Sequence, residues 1–136
     1  MSAVFADTSF YLALLRADDP MHPRALAESR AARSIITTEF VLLELGNACA
    51  HAADHADFLA LAAGLRASPR ATVVPLGSQL LERGMQLMGE RKDKDWSLTD
   101  CISFVVMKEH GLHDALTADR HFEQAGFAAL LKPIAG

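Results

Sequence analysis

The sequence predicts an α/β protein in which a mostly parallel sheet is covered by helices on both faces. Two observations carry that expectation. Short apolar, β-branched runs alternate with longer segments whose apolar residues recur at helical spacing. No repeat, linker or low-complexity stretch interrupts the 136 residues, so a single domain over 1–136 is expected.

Taken in order, Ala3, Val4, Phe5 and Ala6 read as a short buried strand that ends at Asp7. Thr8 and Ser9 offer capping hydroxyls ahead of the apolar run 10–15. Asp18, Asp19 and Pro20 break that helix, and 20–33 reads as a second, with His22 near its start. A β-branched strand at 34–37 is followed by a helix from Thr38 to about His51, with Val41, Leu42, Leu45, Ala48 and Cys49 on its apolar side. An alanine-rich helix at 53–67 carries Phe58, Leu61 and Leu65 as its stripe. A strand at 71–75, a helix at 78–88, a charged loop at 90–95 and a helix at 98–110 stopped by Gly111 come next. A strand at 114–117, a short helix at 120–125 and an edge strand at 128–131 close the chain. In such sheets ligands bind at the carboxyl ends of strands, near a switch in strand order.

Composition narrows the class. The hydrophobic fraction is 51% and the charged fraction 22%, values of an ordinary globular protein. No apolar run is long enough to span a membrane, and the start MSAVFADTSF lacks the basic region of a secretory leader. Two cysteines, Cys49 and Cys101, make no disulfide framework, so a reducing cytoplasmic setting is expected. The net charge of -4 argues against gripping nucleic acid by bulk positive charge. It leaves room for a local basic surface, or for cations that neutralise an acidic cleft.

Four carboxylates stand out. Asp7 ends the first strand, Asp119 closely follows a later one, Glu44 lies among leucines, and Asp100 occupies the first turn of its helix. A carboxylate among apolar neighbours is costly unless paired or bound to a cation. If four such groups meet, a hard divalent cation with oxygen ligands is the natural remedy, and that is chemistry for a phosphodiester. Each acid also has a plain structural reading. Asp7, Asp100 and Asp119 are placed to cap helices or sit in first turns, and Glu44 to lie on a solvated face.

At these residues the chain resembles the PIN-domain family, and within it the VapC-like toxins of prokaryotic toxin–antitoxin pairs. The resemblance rests on Val4-Phe5-Ala6-Asp7-Thr8-Ser9, on the segment from Thr38 through Glu44 to Leu45, on that from Asp95 through Ser97-Leu98-Thr99-Asp100 to Phe104, on Leu116-Thr117-Ala118-Asp119-Arg120-His121-Phe122, and on the closing Gln124-Ala125-Gly126-Phe127. These stand in the family's order and run nearly end to end. The resemblance implies a three-layer α/β/α sandwich and a metal site made of Asp7, Glu44, Asp100 and Asp119. Thr8, Ser9, Ser97 or Thr99 would support it by hydrogen bonds. It further implies an endoribonuclease dependent on Mg²⁺ (or Mn²⁺), cutting RNA in line to leave 5′-phosphate and 3′-hydroxyl ends. A homodimer and an antitoxin partner are also implied.

Other residues fall outside that machinery. No histidine is needed as a general base. His51 and His55 are spaced i, i+4, a metal-binding geometry, but also suit a polar surface helix. His121 is a candidate for local hydrogen bonding or for RNA contact, and Trp96 for base stacking or for anchoring the charged loop. Arg16, Arg91, Lys92, Lys94 and Arg120 are candidates for phosphate contact. Two rival functions are a catalytically silent PIN-like RNA- or protein-binding module and a magnesium-dependent phosphatase on a related sheet. The latter lacks support, because no Asp-x-Asp pair follows the first strand.

Overall fold

The computed structural model describes residues 3–132. Five parallel strands form one sheet: β1 (Val4–Ala6), β2 (Ile35–Thr38), β3 (Ala71–Val74), β4 (Asp114–Leu116) and β5 (Ala128–Ala129). Around them lie α1 (Thr8–Leu15), α2 (His22–Ala31), α3 (Glu39–Ala48), α4 (His55–Ala67), α5 (Ser78–Glu90), α6 (Leu98–Glu109) and α7 (Arg120–Gln124). The result is the three-layer α/β/α arrangement expected from the alternation of elements.

Strand order is β3-β2-β1-β4-β5. The chain therefore builds outward from β1 to β3 on one side, then crosses back to place β4 and β5 on the other. The switch falls between β1 and β4, which pair through Phe5 with Ala115 and Ala6 with Leu116. Strand β1 is buried along its whole length, and its carboxyl end opens at the crevice that such a reversal creates.

An aromatic stack joins the elements that carry the crevice. Trp96 meets Phe104 edge-on at 5.0 Å, Phe104 meets Phe122 edge-on at 4.9 Å, and Phe122 lies 6.3 Å from Phe5. Edge-to-face pairs add to the stabilisation from burial alone. The stack ties the loop before α6, α6 itself, α7 and β1 into one support.

Most expected elements appear with shifts of one to three residues at their ends. Helix α2 starts at His22 rather than Pro20, because Asp19 Oδ1 accepts the Met21 N–H in a turn and Pro23 takes an early helical position. The helix expected to run to about His51 stops at Ala48, and a 3₁₀ turn at Ala52–Asp54 precedes α4. Glu90 belongs to α5 rather than to the charged loop, and only Ala128 and Ala129 of the expected edge strand pair with β4. Helix α4 has no fully buried residue, so its stripe of Phe58, Leu61 and Leu65 only half-buries while Leu59 faces outward.

Candidate active site at the carboxyl edge of the sheet

The four carboxylates singled out in the sequence lie around one cleft of about 400 Å³. Thr8, Ser9, Leu12, Asp95, Ser97 and His121 complete its lining. Asp7 comes from the end of β1, Glu44 from α3, Asp100 from the first turn of α6 and Asp119 from the turn between β4 and α7. The lining residues include five carboxylates and no lysine or arginine.

Asp7 is the most deeply placed, with 5% of its surface exposed. It occupies the N-cap position of α1, yet its side chain makes no capping bond. The carboxylate instead accepts from Thr117 Oγ1 at 3.0 Å and from Ser9 Oγ at 3.3 Å. Burial pushes its pKa up to about 6, and the neighbouring Asp100 and Glu44 charges push the same way. Contacts from Thr8 and Thr117 oppose the rise without cancelling it.

Glu44 accepts a short bond of 2.6 Å from Thr8 Oγ1, which turns it toward the cleft. Asp100 serves two roles at once. It forms a capping box with Ser97, whose Oγ accepts the Asp100 N–H at 3.0 Å while Asp100 Oδ2 accepts the Ser97 N–H at 3.2 Å. The same Oδ2 faces His121 Nδ1 at 3.2 Å. Burial raises the Asp100 pKa, and the Asp119 charge adds to the rise. Asp119 caps α7 by accepting the His121 N–H at 2.9 Å, and its Oδ1 also lies 3.3 Å from His121 Nδ1. The capping reading and the site reading therefore coexist for Asp100 and Asp119. For Asp7 the side chain has no capping duty.

Of the expected supporting hydroxyls, those of Thr8 and Ser9 donate to cleft carboxylates, while that of Ser97 accepts the Asp100 backbone N–H and its own backbone N–H donates to the Asp100 carboxylate. Thr99 lies outside the lining and makes no side-chain hydrogen bond among the described residues. Arg16 and Arg120 are exposed and outside the lining as well. His121 is drawn into the acidic cluster itself, with Nδ1 against two carboxylates. Trp96 is buried, donates from Nε1 to Gln124 Oε1 at 3.0 Å and carries the Arg91 guanidinium 4.9 Å above its ring, which anchors the charged loop. His51 and His55 spend a ring nitrogen each on nearby backbone, at Ala53 N and Ala50 O.

Two contributors escaped the sequence reading. Thr117 Oγ1 is a hub: it donates to Asp7, accepts the Asp119 N–H at 3.0 Å and lies 3.2 Å from Ser9 Oγ. Its only local signal is a polar residue following two apolar ones in a strand, two places before Asp119. Asp95 ends the charged run and opens the motif segment that holds Ser97 and Asp100, but neither context by itself gives it a role in the cleft.

The sequence and the fold are matched by known proteins. The PIN domain model matches residues 4–128. The chain belongs to the PIN-domain family. It is 31% identical, over 129 residues, to the 23S rRNA-specific endonuclease VapC20 of Mycobacterium tuberculosis, a match spanning 91% of this chain and 95% of that protein. Among solved structures, that of Mycobacterium tuberculosis VapC20, described as a sarcin–ricin loop cleaving toxin, superposes with a TM-score of 0.83 at 29% identity. It covers 93% of this chain and 97% of the other. FitAcB from Neisseria gonorrhoeae gives a TM-score of 0.65 at 18% identity, covering 93% of this chain and 94% of the other, a likeness of fold. This PIN domain thus shares its architecture with both structures and its sequence appreciably with VapC20.

Proposed function

We propose that this PIN domain is a Mg²⁺- or Mn²⁺-dependent endoribonuclease, the toxin of a toxin–antitoxin pair. The observation that carries the reading is the meeting of Asp7, Glu44, Asp100 and Asp119 at one cleft whose lining holds no lysine or arginine. Left alone, such a group is electrostatically unfavourable: burial is the main cause of the raised Asp7 pKa, and the Asp100 and Glu44 charges add to it. An oxygen-rich, anionic donor set fits a hard divalent cation. We infer that these four acids would hold it. When bound, such a cation activates water near neutral pH and stabilises the charge that develops on the phosphoryl oxygens.

The chain's own groups prepare the site. Thr117 and Ser9 orient Asp7, Thr8 orients Glu44, and Ser97 holds Asp100 at the first turn of α6. Preorganised ligands of this kind avoid reorganisation during the reaction. Exposed Arg16 and Arg120 are available for phosphate contact outside the acidic lining. Because the related VapC20 is specific for 23S rRNA, ribosomal RNA is the first substrate to test.

We further propose a homodimer, supported by Leu43 on α3 and Leu59 on α4, which are 57% and 62% exposed. An antitoxin protein as partner follows from the toxin reading. A cytoplasmic location suits a ribosomal RNA substrate and the two free, buried thiols. No helix among the described residues is long and apolar enough to cross a membrane. One contiguous apolar core supports a single domain over 1–136.

The test is incubation of purified protein with ribosomal RNA and Mg²⁺ or Mn²⁺, beside an Asp100→Ala control and a chelator control. Cleavage that needs both the cation and Asp100 is expected. Undiminished cleavage by Asp100→Ala would sink the assignment.

A further inference from the structure

We propose that His121 is itself a ligand of the divalent cation, through Nδ1, and that it tilts the site toward transition-series cations such as Mn²⁺ and away from Mg²⁺. This rests on the metal-site reading above. Among the described residues, Asp100, Asp119 and His121 offer ligand atoms that all lie within 4.8 Å of one another. His121 Nδ1 is 3.2 Å from Asp100 Oδ2 and 3.3 Å from Asp119 Oδ1. Neighbouring ligands of an octahedral cation with bonds of ~2.1 Å are separated by about 3 Å. Both nitrogen–oxygen separations are close to that value.

The local fold holds it there. Asp119 Oδ1 accepts the His121 backbone N–H, which fixes the start of α7, and the ring is 22% exposed. A neutral imidazole carries one proton, on either nitrogen. With that proton on Nδ1 the ring donates to the two carboxylates. With it on Nε2, Nδ1 presents a lone pair that two carboxylate oxygens would repel and a cation among them would attract. The same position thus serves the site in both states by a change of tautomer. Imidazole nitrogen suits first-row transition metals, whereas Mg²⁺ favours oxygen donors throughout.

Mn²⁺ is the probe, since it reports on its ligands by electron paramagnetic resonance. Pulsed spectra of the Mn²⁺-loaded protein are expected to show ¹⁴N modulation of a directly bound imidazole, changed by ¹⁵N-histidine labelling and lost in His121→Asn. That variant keeps a side-chain amide but has no ring nitrogen. Displacement of Mn²⁺ by Mg²⁺, followed by the signal of free Mn²⁺, should show a Mn²⁺-over-Mg²⁺ preference that falls on the order of tenfold in the variant. Tight Mn²⁺ binding with no histidine nitrogen signal, or an unchanged preference in His121→Asn, overturns the role of His121 and leaves the metal site standing. Failure of the unmodified protein to bind Mn²⁺ at all overturns both. Should His121→Asn not fold, the ¹⁵N-labelled protein decides alone, because His121 is the histidine lining the cleft among the described residues.

Discussion

Burial holds the Asp7 carboxyl away from the charged form that water would favour, with a pKa pushed up to about 6 from an ordinary 3.8. Its folded pKa exceeds its unfolded one, so the stability it contributes is complete below about pH 4 and lost as pH rises through 6. At 1.36 kcal/mol per unit, the metal-free fold gives up about 3 kcal/mol over that window. Asp7→Asn, which keeps an acceptor for Thr117, should therefore raise the Tm of chelator-treated protein at pH 8. Near pH 4 the gain should vanish, and cation-dependent RNA cleavage should be lost at any pH. A Tm that does not rise at pH 8 would remove desolvation as the dominant influence on Asp7. Cation binding must also compete with the Asp7 proton, so the Tm increase caused by Mn²⁺ should be larger at pH 7.5 than at pH 5.5. Thr117 is the other decisive residue. Thr117→Val preserves shape but takes away the donor to Asp7 and the acceptor for the Asp119 N–H. Urea denaturation should show a loss of about 1–3 kcal/mol, together with weaker cleavage.

At the level of elements, α5 packs closely on α6, the helix that carries Asp100. Gly84 permits it, since a Cβ there would lie 2.4 Å from Ile102 Cγ1. Gly84→Ala gains helix propensity but drives apart two helices in contact, and Ile102 sits two residues from Asp100. The expected outcome is a net loss of about 1–3 kcal/mol in chemical denaturation, with reduced cleavage; a stabilised variant would contradict it. Strands and helices were legible because their periodicities differ and because Ser97, Asp100 and Gly111 punctuate α6 in recognisable ways. The ends of α3 and α4 were not, because alanine-rich sequence at 48–55 continues a helical pattern through a 3₁₀ turn. Nor was the exposure of α4 legible. An apolar stripe shows that a helix has a side to bury, not how fully the monomer buries it.

For the whole molecule, the return from β3 to β4 across β1 creates the crevice in which the acids meet. The same wrapping leaves Leu43 and Leu59 facing outward. Replacing both with glutamate should leave circular dichroism unchanged and shift sedimentation from dimer to monomer across micromolar concentrations. A monomer at every concentration in the unmodified protein would remove the dimer from the proposal. By itself the sequence determined the alternation of elements, the family, and four acids in local motifs, because capping, periodicity and motif spacing are short-range properties. Only the tertiary structure decided that the four acids line one cleft, that Asp7 is desolvated, and that Thr117 and His121 join them. Those facts depend on contacts between residues as far as 110 positions apart, such as Thr117 on Asp7, and parallel strand pairing across a long crossover brings them together.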